Sequence, residues 1–217
     1  MPVEPGDAVA LPAVAAERLR PDALRARFAN PPAWSPELTG DRFRLRADPP
    51  RAAAVLVPII VHDSGATVLL TERTAHLYDH AGQIAFPGGR RDEGDRDDVA
   101  TALREAHEEI GLDPGAVDVL AQLPTYLTGT GYSVTPVIGL VRPGLELRLD
   151  SFEVALAFEV PLAFLMDPRY HERRRVMIGQ IERTFYAMPY RVQGGREFFI
   201  WGATAAMLRN LYRMLSA

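Results

Sequence analysis

Apolar residues fill the run AAAVLVPIIV at 52–61 without alternating with polar ones, which predicts a β-strand buried on both faces. DSG follows, then ATVLLTER, so two strands joined by a tight turn are expected there. Farther along the spacing changes. Val99, Ala102, Leu103, Ala106 and Ile110 recur at helical intervals, which predicts an amphipathic helix over 97–110, stopped by Gly111 with Pro114 beyond it. Strands are expected at 117–123, 133–141 and 152–160, and Pro161 opens a short helix or turn through Met166. The stretches RRRVMIG, RTFYAMPYRV and REFFIWG predict a late antiparallel sheet. ATAAMLRNLYRML closes the chain as an amphipathic helix. Strands and helices mix without βαβ repetition, so the fold class is α+β.

Residues 1–50 read differently. They are rich in Pro, Ala and Arg; LRPDALRARF predicts a short helix near 21–29, and ANPPAWSP ends it. The expected organisation is an N-terminal arm over 1–50 and one domain over 51–217, in keeping with a length of 217 residues. Net charge is −4 and no basic tract stands out, so no nucleic-acid partner is expected. Cysteine is absent, which excludes disulfides, zinc thiolate sites and cysteine nucleophiles. The N-terminus lacks a basic, apolar leader, and the longest apolar run is too short to span a bilayer. The expectation is a soluble cytoplasmic protein without a membrane partner. Lysine is also absent, so every long cationic side chain is an arginine capable of bidentate phosphate contacts.

The stretch FPGGRRDEGDRDDVATALREAHEEIGL, at 86–112, carries the candidate chemistry. Glu105, Glu108 and Glu109 share one face of the predicted helix, where like charges repel. Hard oxygen donors grouped this way suit Mg²⁺ or Mn²⁺. A scattered E-x-x-E-E is ordinarily a solvated acidic face. Here a double glycine lies upstream, Arg104 opens the cluster and Gly111 closes it.

This segment resembles the Nudix box, G-x5-E-x7-R-E-U-x-E-E-x-G-U, where U is a bulky apolar residue. REAHEEIGL at 104–112 matches its end and Gly89 its first glycine. Asp95 stands where the pattern has Glu, and one extra residue lies between Asp95 and Arg104. The helix glutamates, more than Asp95, are the expected functional positions. Just upstream, LLTERTAHLYDHAGQIAFPGGRRD at 69–92 resembles the coenzyme A pyrophosphatase signature L-L-T-x-R-S-x3-R-x3-G-x3-F-P-G-G-x2-D. Leu69, Leu70, Thr71, Arg73, Gly82, Phe86, Pro87, Gly88, Gly89 and Asp92 match, Thr74 replaces Ser, and Tyr78 stands in place of Arg. TYLTGTGYSVTPVIGLV, FEVALAFEVPLAFLMDP and IWGATAAMLRNLY extend the likeness to about residues 50–215.

The resemblance implies a Nudix α/β/α sandwich with a mixed β-sheet. It implies a diphosphatase that uses Mg²⁺ or Mn²⁺ to cut coenzyme A or its derivatives into 3′,5′-ADP and 4′-phosphopantetheine. On this reading Glu105, Glu108 and Glu109 bind metal, joined by the Gly89 carbonyl, and Arg104 orients a glutamate. Glu153 is the first candidate for general base, ahead of Glu159 and Glu108. Arg73, Gly82, Phe86, Gly88 and Gly89 form the expected substrate-binding set, with Arg73, Arg90 or Arg91 compensating for Tyr78. His76, His80 and His107 are assigned surface or hydrogen-bonding roles. Tyr126, Tyr132 and Trp201 are candidates for stacking or for core, and the 128–131 loop for phosphate contact or a simple turn. The alternatives are a Nudix pyrophosphatase acting on another nucleoside diphosphate derivative and a non-catalytic binding module. A homodimer through the arm or the late strands is compatible with the sequence.

Overall fold

The computed structural model describes residues 3–4, 11–41, 49–75, 82–179, 181–192 and 195–217. In chain order these form β1 (Val3–Glu4), α1 (Pro21–Ala29), β2 (Arg51–His62) and β3 (Gly65–Arg73). Next come β4 (Ile84–Ala85), β5 (Gly88–Arg90), α2 (Asp98–Ile110), β6 (Val117–Gln122) and β7 (Tyr126–Leu127). Then follow β8 (Tyr132–Val141), β9 (Val154–Pro161) and α3 (Leu162–Leu165). β10 (Glu172–Ile178), β11 (Ile181–Arg191), β12 (Glu197–Trp201) and α4 (Gly202–Ser216) complete the set.

The central sheet is mixed. Its backbone is the order β4-β3-β2-β8-β6, with β9 added on β3, β5 on β2 and β7 on β8. β2 and β8 run parallel; the other pairings are antiparallel. The unbroken apolar run of β2 is explained by this place in the sheet. Ala54, Leu56 and Ile60 face α2 with Ala102, Ala106 and Ile110. Ala53, Val57 and Ile59 face the opposite core, which also contains Ile138, Met188, Ile200, Leu208 and Leu211. On that second side lie α4 and an antiparallel sheet in the order β1-β10-β11-β12. The layers are thus helix, mixed sheet, then α4 with the second sheet. The elements expected from periodicity are present, and β4, β5 and β7 are short strands beyond them.

The described part of the arm is seated in the larger core through Val14, Leu19, Leu24 and Phe28. Polar contacts fix its path. Asn210 on α4 donates to the Leu38 carbonyl at 2.6 Å and accepts from the Leu38 N–H at 3.0 Å. Arg209, buried on the same helix, donates to Glu37 at 2.9 Å and lies between the rings of Tyr186 and Tyr212. Among the described residues no helix is long and apolar enough to cross a membrane.

Arg209 also reaches Nδ1 of buried His171 at 3.2 Å, while Nε2 of that ring contacts the Leu165 carbonyl at 2.7 Å. Arginine can only donate, so Nδ1 accepts and Nε2 carries the proton, which defines a neutral imidazole. Burial, with the Arg209 charge, pushes the His171 pKa down to about 4, against 6.5 for the ordinary group. Between those values the unfolded chain binds a proton that the folded chain does not. The contribution is therefore full above pH 6.5 and lost as pH falls toward 4. Urea denaturation across this range should show stability falling by up to about 3 kcal/mol from this group, and His171→Gln should remove that part of the pH dependence.

Candidate functional site

The site is assembled where β5 passes between β2 and α2. Asp97 caps the helix, accepting from the Ala100 N–H at 2.8 Å, and Gly111 ends it in a left-handed conformation with φ 68°. Gly88 and Gly89 pair with Val55 and Ala54 on β2. A Cβ on Gly88, whose φ is 152°, would fall 2.5 Å from the Ala54 carbonyl oxygen and from Val55 Cα. A Cβ on Gly89 would lie against the Glu105 carboxylate. Gly88 is required by the backbone of β2, and a side chain at position 89 would displace the Glu105 carboxylate.

Glu109 occupies the inner end of the helix face and is only 4% exposed. Its Oε2 accepts from the Gly88 N–H at 3.1 Å, and Arg73 Nη1 lies 3.6 Å from its Oε1. The other terminal nitrogen of Arg73 lies 3.9 Å from Glu153 Oε2. Glu153 reaches this position because its turn is tied to both neighbours: the Asp150 N–H donates to the Glu109 carbonyl at 2.9 Å, and the Thr74 N–H to the Glu153 carbonyl at 3.0 Å.

Arg104 braces the outer end. It donates to both oxygens of Asp95 at 3.0 and 2.9 Å, to Glu108 at 2.8 Å and to the Arg90 carbonyl at 3.1 Å. It also stands 3.0 Å from Glu105 Oε1. The Asp95 side chain is nearly enclosed and accepts further from the Thr101 hydroxyl and the Asp92 N–H, each at 2.9 Å. The hydrogen bond from Arg104 holds the Asp95 carboxyl well below the usual carboxylate range and raises the guanidinium in turn. The turn Asp92–Asp95, closed by the Asp95 N–H on the Asp92 carbonyl at 3.1 Å, lies just before the segment that is longer by one residue. Asp95 is thus the anchor of Arg104, a role that sequence reading passed over. The available signal was its retained spacing from Gly89, obscured by the change from Glu to Asp.

The carboxylates feel one another. Burial pushes the Glu109 pKa up to about 7, and the charges of Glu105 and Glu153 add to it, despite Gly88 and Arg73. Burial also raises Glu105; Arg104 opposes this, and Glu108 and Glu153 reinforce it. Among the described residues no three Asp, Glu or His side chains converge closely enough to hold a cation as they stand. The donor set nevertheless suits one. Glu109 is removed from water and incompletely compensated, Glu105 lies directly against Gly89, and all the donors are hard oxygens. Glu105 and Glu109, then Glu108 and the Gly89 carbonyl, would hold a divalent ion.

Other expected positions are distributed unevenly. Phe86, assigned to substrate binding, is 3% exposed and packs inside the larger core. Gly82 turns the chain beside the site, its N–H donating to the Arg73 carbonyl at 3.1 Å. Arg91 is engaged with Asp98 and with the carbonyls of Asp95 and Arg96. Glu159 lies on the other side of β3, bonded to His62 at 2.6 Å and to Thr67, apart from the three helix glutamates. His107 is exposed, near the Leu112 carbonyl. Tyr126 is buried and donates to Asp41 at 2.7 Å, while Asp41 also accepts from the Gly129 N–H, so the arm holds the 128–131 loop. Tyr132 is half-buried on β8, and Trp201 is partly exposed on the second sheet, packed edge-on to Phe185. His76, Tyr78 and His80 lie outside the described residues.

Asp95→Asn should lower the unfolding free energy by about 2 kcal/mol, because it weakens charge-assisted hydrogen bonds from Arg104 to an enclosed side chain while Arg104 keeps Glu105 and Glu108. Urea denaturation at neutral pH measures this, with the exposed Glu93→Gln as a control expected to change stability by under about 0.5 kcal/mol.

Comparison with known proteins places this geometry in context. The sequence model of the NUDIX domain family matches residues 50–175. NudL of Escherichia coli (strain K12), described as an uncharacterized Nudix hydrolase, is 42% identical over 162 residues, covering 74% of this chain and 81% of the relative. NudL of Shigella boydii serotype 4 (strain Sb227) is 43% identical over 162 residues with the same coverage. Among solved structures, the Nudix hydrolase RenU of M. smegmatis is 24% identical, with a TM-score of 0.47, over 60% of this chain and 80% of that one.

Proposed function

The chain belongs to the NUDIX domain family and is a hydrolase of phosphoric anhydrides, and from that premise we propose that it is a Mg²⁺- or Mn²⁺-dependent diphosphatase of coenzyme A or its derivatives. The observation that carries the metal-dependent reading is Glu109, a carboxylate buried between the Gly88 N–H and Arg73 with Glu105 and Glu153 nearby. Arg73, 3.6 Å away, offsets this burial only in part, and a divalent cation would complete the compensation. The substrate reading is supported by the segment from Leu69 to Asp92, whose Arg73 and Gly88 stand at Glu109.

When bound, the divalent ion neutralises the anhydride oxygens and acidifies the attacking water. The residues do the rest. Glu105 and Glu109 present oxygens from one helical turn, and Glu108 supplies a third. Arg104, fixed by Asp95, keeps Glu105 and Glu108 from swinging apart. Glu153 is exposed enough to meet solvent and accepts the proton of the attacking water. The water oxygen forms the new P–O bond as the bridging P–O bond breaks, which yields 3′,5′-ADP and 4′-phosphopantetheine from coenzyme A. Arg73 offsets the charge of Glu109 and Glu153 before substrate arrives. Tyr78, standing where the signature has Arg, favours the second reading, in which another nucleoside diphosphate derivative is the substrate.

Incubation with coenzyme A and Mg²⁺ or Mn²⁺, followed by chromatography, should give both products, and chelator should stop it. Glu109→Gln should lower turnover at least about 100-fold with the fold retained. A panel in which a dinucleotide or nucleotide sugar outranks coenzyme A would select the second reading. Glu109 must lose its proton to ligate, so Mn²⁺ affinity measured by calorimetry should rise with pH up to about 7 and then level. That rise should vanish in Glu109→Gln.

A further inference from the structure

Two arginines serve the carboxylates of the site, and they are held in opposite ways. Arg104 spends its donors on protein: Asp95, Glu108 and the Arg90 carbonyl accept from it at 2.8 to 3.1 Å. The guanidinium of Arg73 makes no hydrogen bond to any described residue. Its terminal nitrogens lie 3.6 Å from Glu109 Oε1 and 3.9 Å from Glu153 Oε2, ion-pair distances beyond hydrogen-bond reach. The root of the side chain, by contrast, is fixed. The Arg73 N–H donates to the Gln83 carbonyl and the Arg73 carbonyl accepts from the Gly82 N–H, each at 3.1 Å. Thr74, the next residue, is buried, and its N–H donates to the Glu153 carbonyl at 3.0 Å. Arg73 thus has an anchored root and a partly exposed tip held by charge alone.

A tip held only by charge can be exchanged for another charge. Among the described residues Arg73 is the one cationic group within ion-pair distance of buried Glu109. A divalent ion on Glu109 would serve the same carboxylate, and cations brought together in so dry a place repel each other. An anion that draws the guanidinium toward itself relieves that repulsion. The unspent N–H donors of Arg73, set in a planar fork, are matched to the oxygens of a phosphate. We infer that Arg73 is a built-in competitor for the cation site, which it yields when a substrate phosphate takes up its donors. Cation and phosphate are thereby coupled through one side chain, each tightening the binding of the other by the same factor. The inference deepens the metal-dependent reading above and rests on it, but not on which nucleotide is cleaved.

The test uses the full chain, Mn²⁺ and methylene-bridged ADP, whose bridging carbon blocks cleavage. Electron paramagnetic resonance of free Mn²⁺ gives the Mn²⁺ affinity with and without the analogue, corrected for Mn²⁺ that the analogue binds in solution. Arg73→Gln should bind Mn²⁺ alone about 10-fold more tightly than the parent protein. The analogue should tighten Mn²⁺ binding by the parent protein by a larger factor than binding by Arg73→Gln. Arg73→Lys keeps the charge and should keep the parental Mn²⁺ affinity. Saturating Mn²⁺ should also raise the urea midpoint of Arg73→Gln more than that of the parent protein, since tighter binding to the folded state stabilises it more. An arginine that only grips phosphate, or only supports the fold, forecasts the reverse: Mn²⁺ affinity unchanged or weaker in Arg73→Gln. Either result overturns the inference, whatever happens to KM. Absence of Mn²⁺ binding to both proteins overturns the metal reading and the inference with it, whereas Mn²⁺ binding that ignores the substitution overturns the inference alone.

Discussion

Three like charges on one helical face would drive apart if nothing held them, and in this fold the counterweight at the outer end is Arg104. Its guanidinium joins Asp95, Glu105, Glu108 and the carbonyl of Arg90. Because Arg90 ends β5 and β5 is laddered to β2, the orientation of the glutamates is referred to the centre of the sheet. Glu109 is referred to the same strand by the N–H of Gly88. The helix and the glycine strand are two halves of one frame. Neither could hold the carboxylates without the other, and both depend on β2 having no solvent-facing side.

Much of this was legible in the sequence. The apolar run of β2 announced a doubly buried strand because side chains of both parities meet a core. The C-terminal limit of α2 was marked by Gly111. What could not be read depends on partners distant in the chain. FEVALAFEV looks like a strand from its first residue, yet β9 starts only at Val154, because residues before it are drawn into a turn bound to Glu109 and Thr74. β4, β5 and β7 carry too few residues to show periodicity and exist through their neighbours. The arm's contacts with α4 join residues 172 positions apart, a distance over which no local pattern speaks.

The candidate site divides in the same way. Residue types and spacing revealed the helix glutamates, since the chemistry demands them in a fixed order. Asp95 and Phe86 show the reach of a motif from opposite sides. Asp95 departs from the family pattern but holds the bracing arginine; Phe86 keeps to the pattern but lies in the core, where it shapes the approach to Gly88. A motif records that a residue type is needed without saying whether a ligand or the protein itself needs it.

The parallel pairing of β2 with β8, from Arg51 against Tyr132 to Ile60 against Val141, has a consequence for how the protein comes into being. Parallel neighbours cannot be closed by a short hairpin, and here the helix, the glycine strand and the loops that carry the chemistry all lie in the chain between them. Closing so long a loop is entropically slow, and its reward arrives only when the central strands meet. β5 needs β2 in place, and the glutamates need β5. Chemical competence is thus a late event on the folding pathway: compact chains with their helices already formed will be inert until the middle of the sheet has closed.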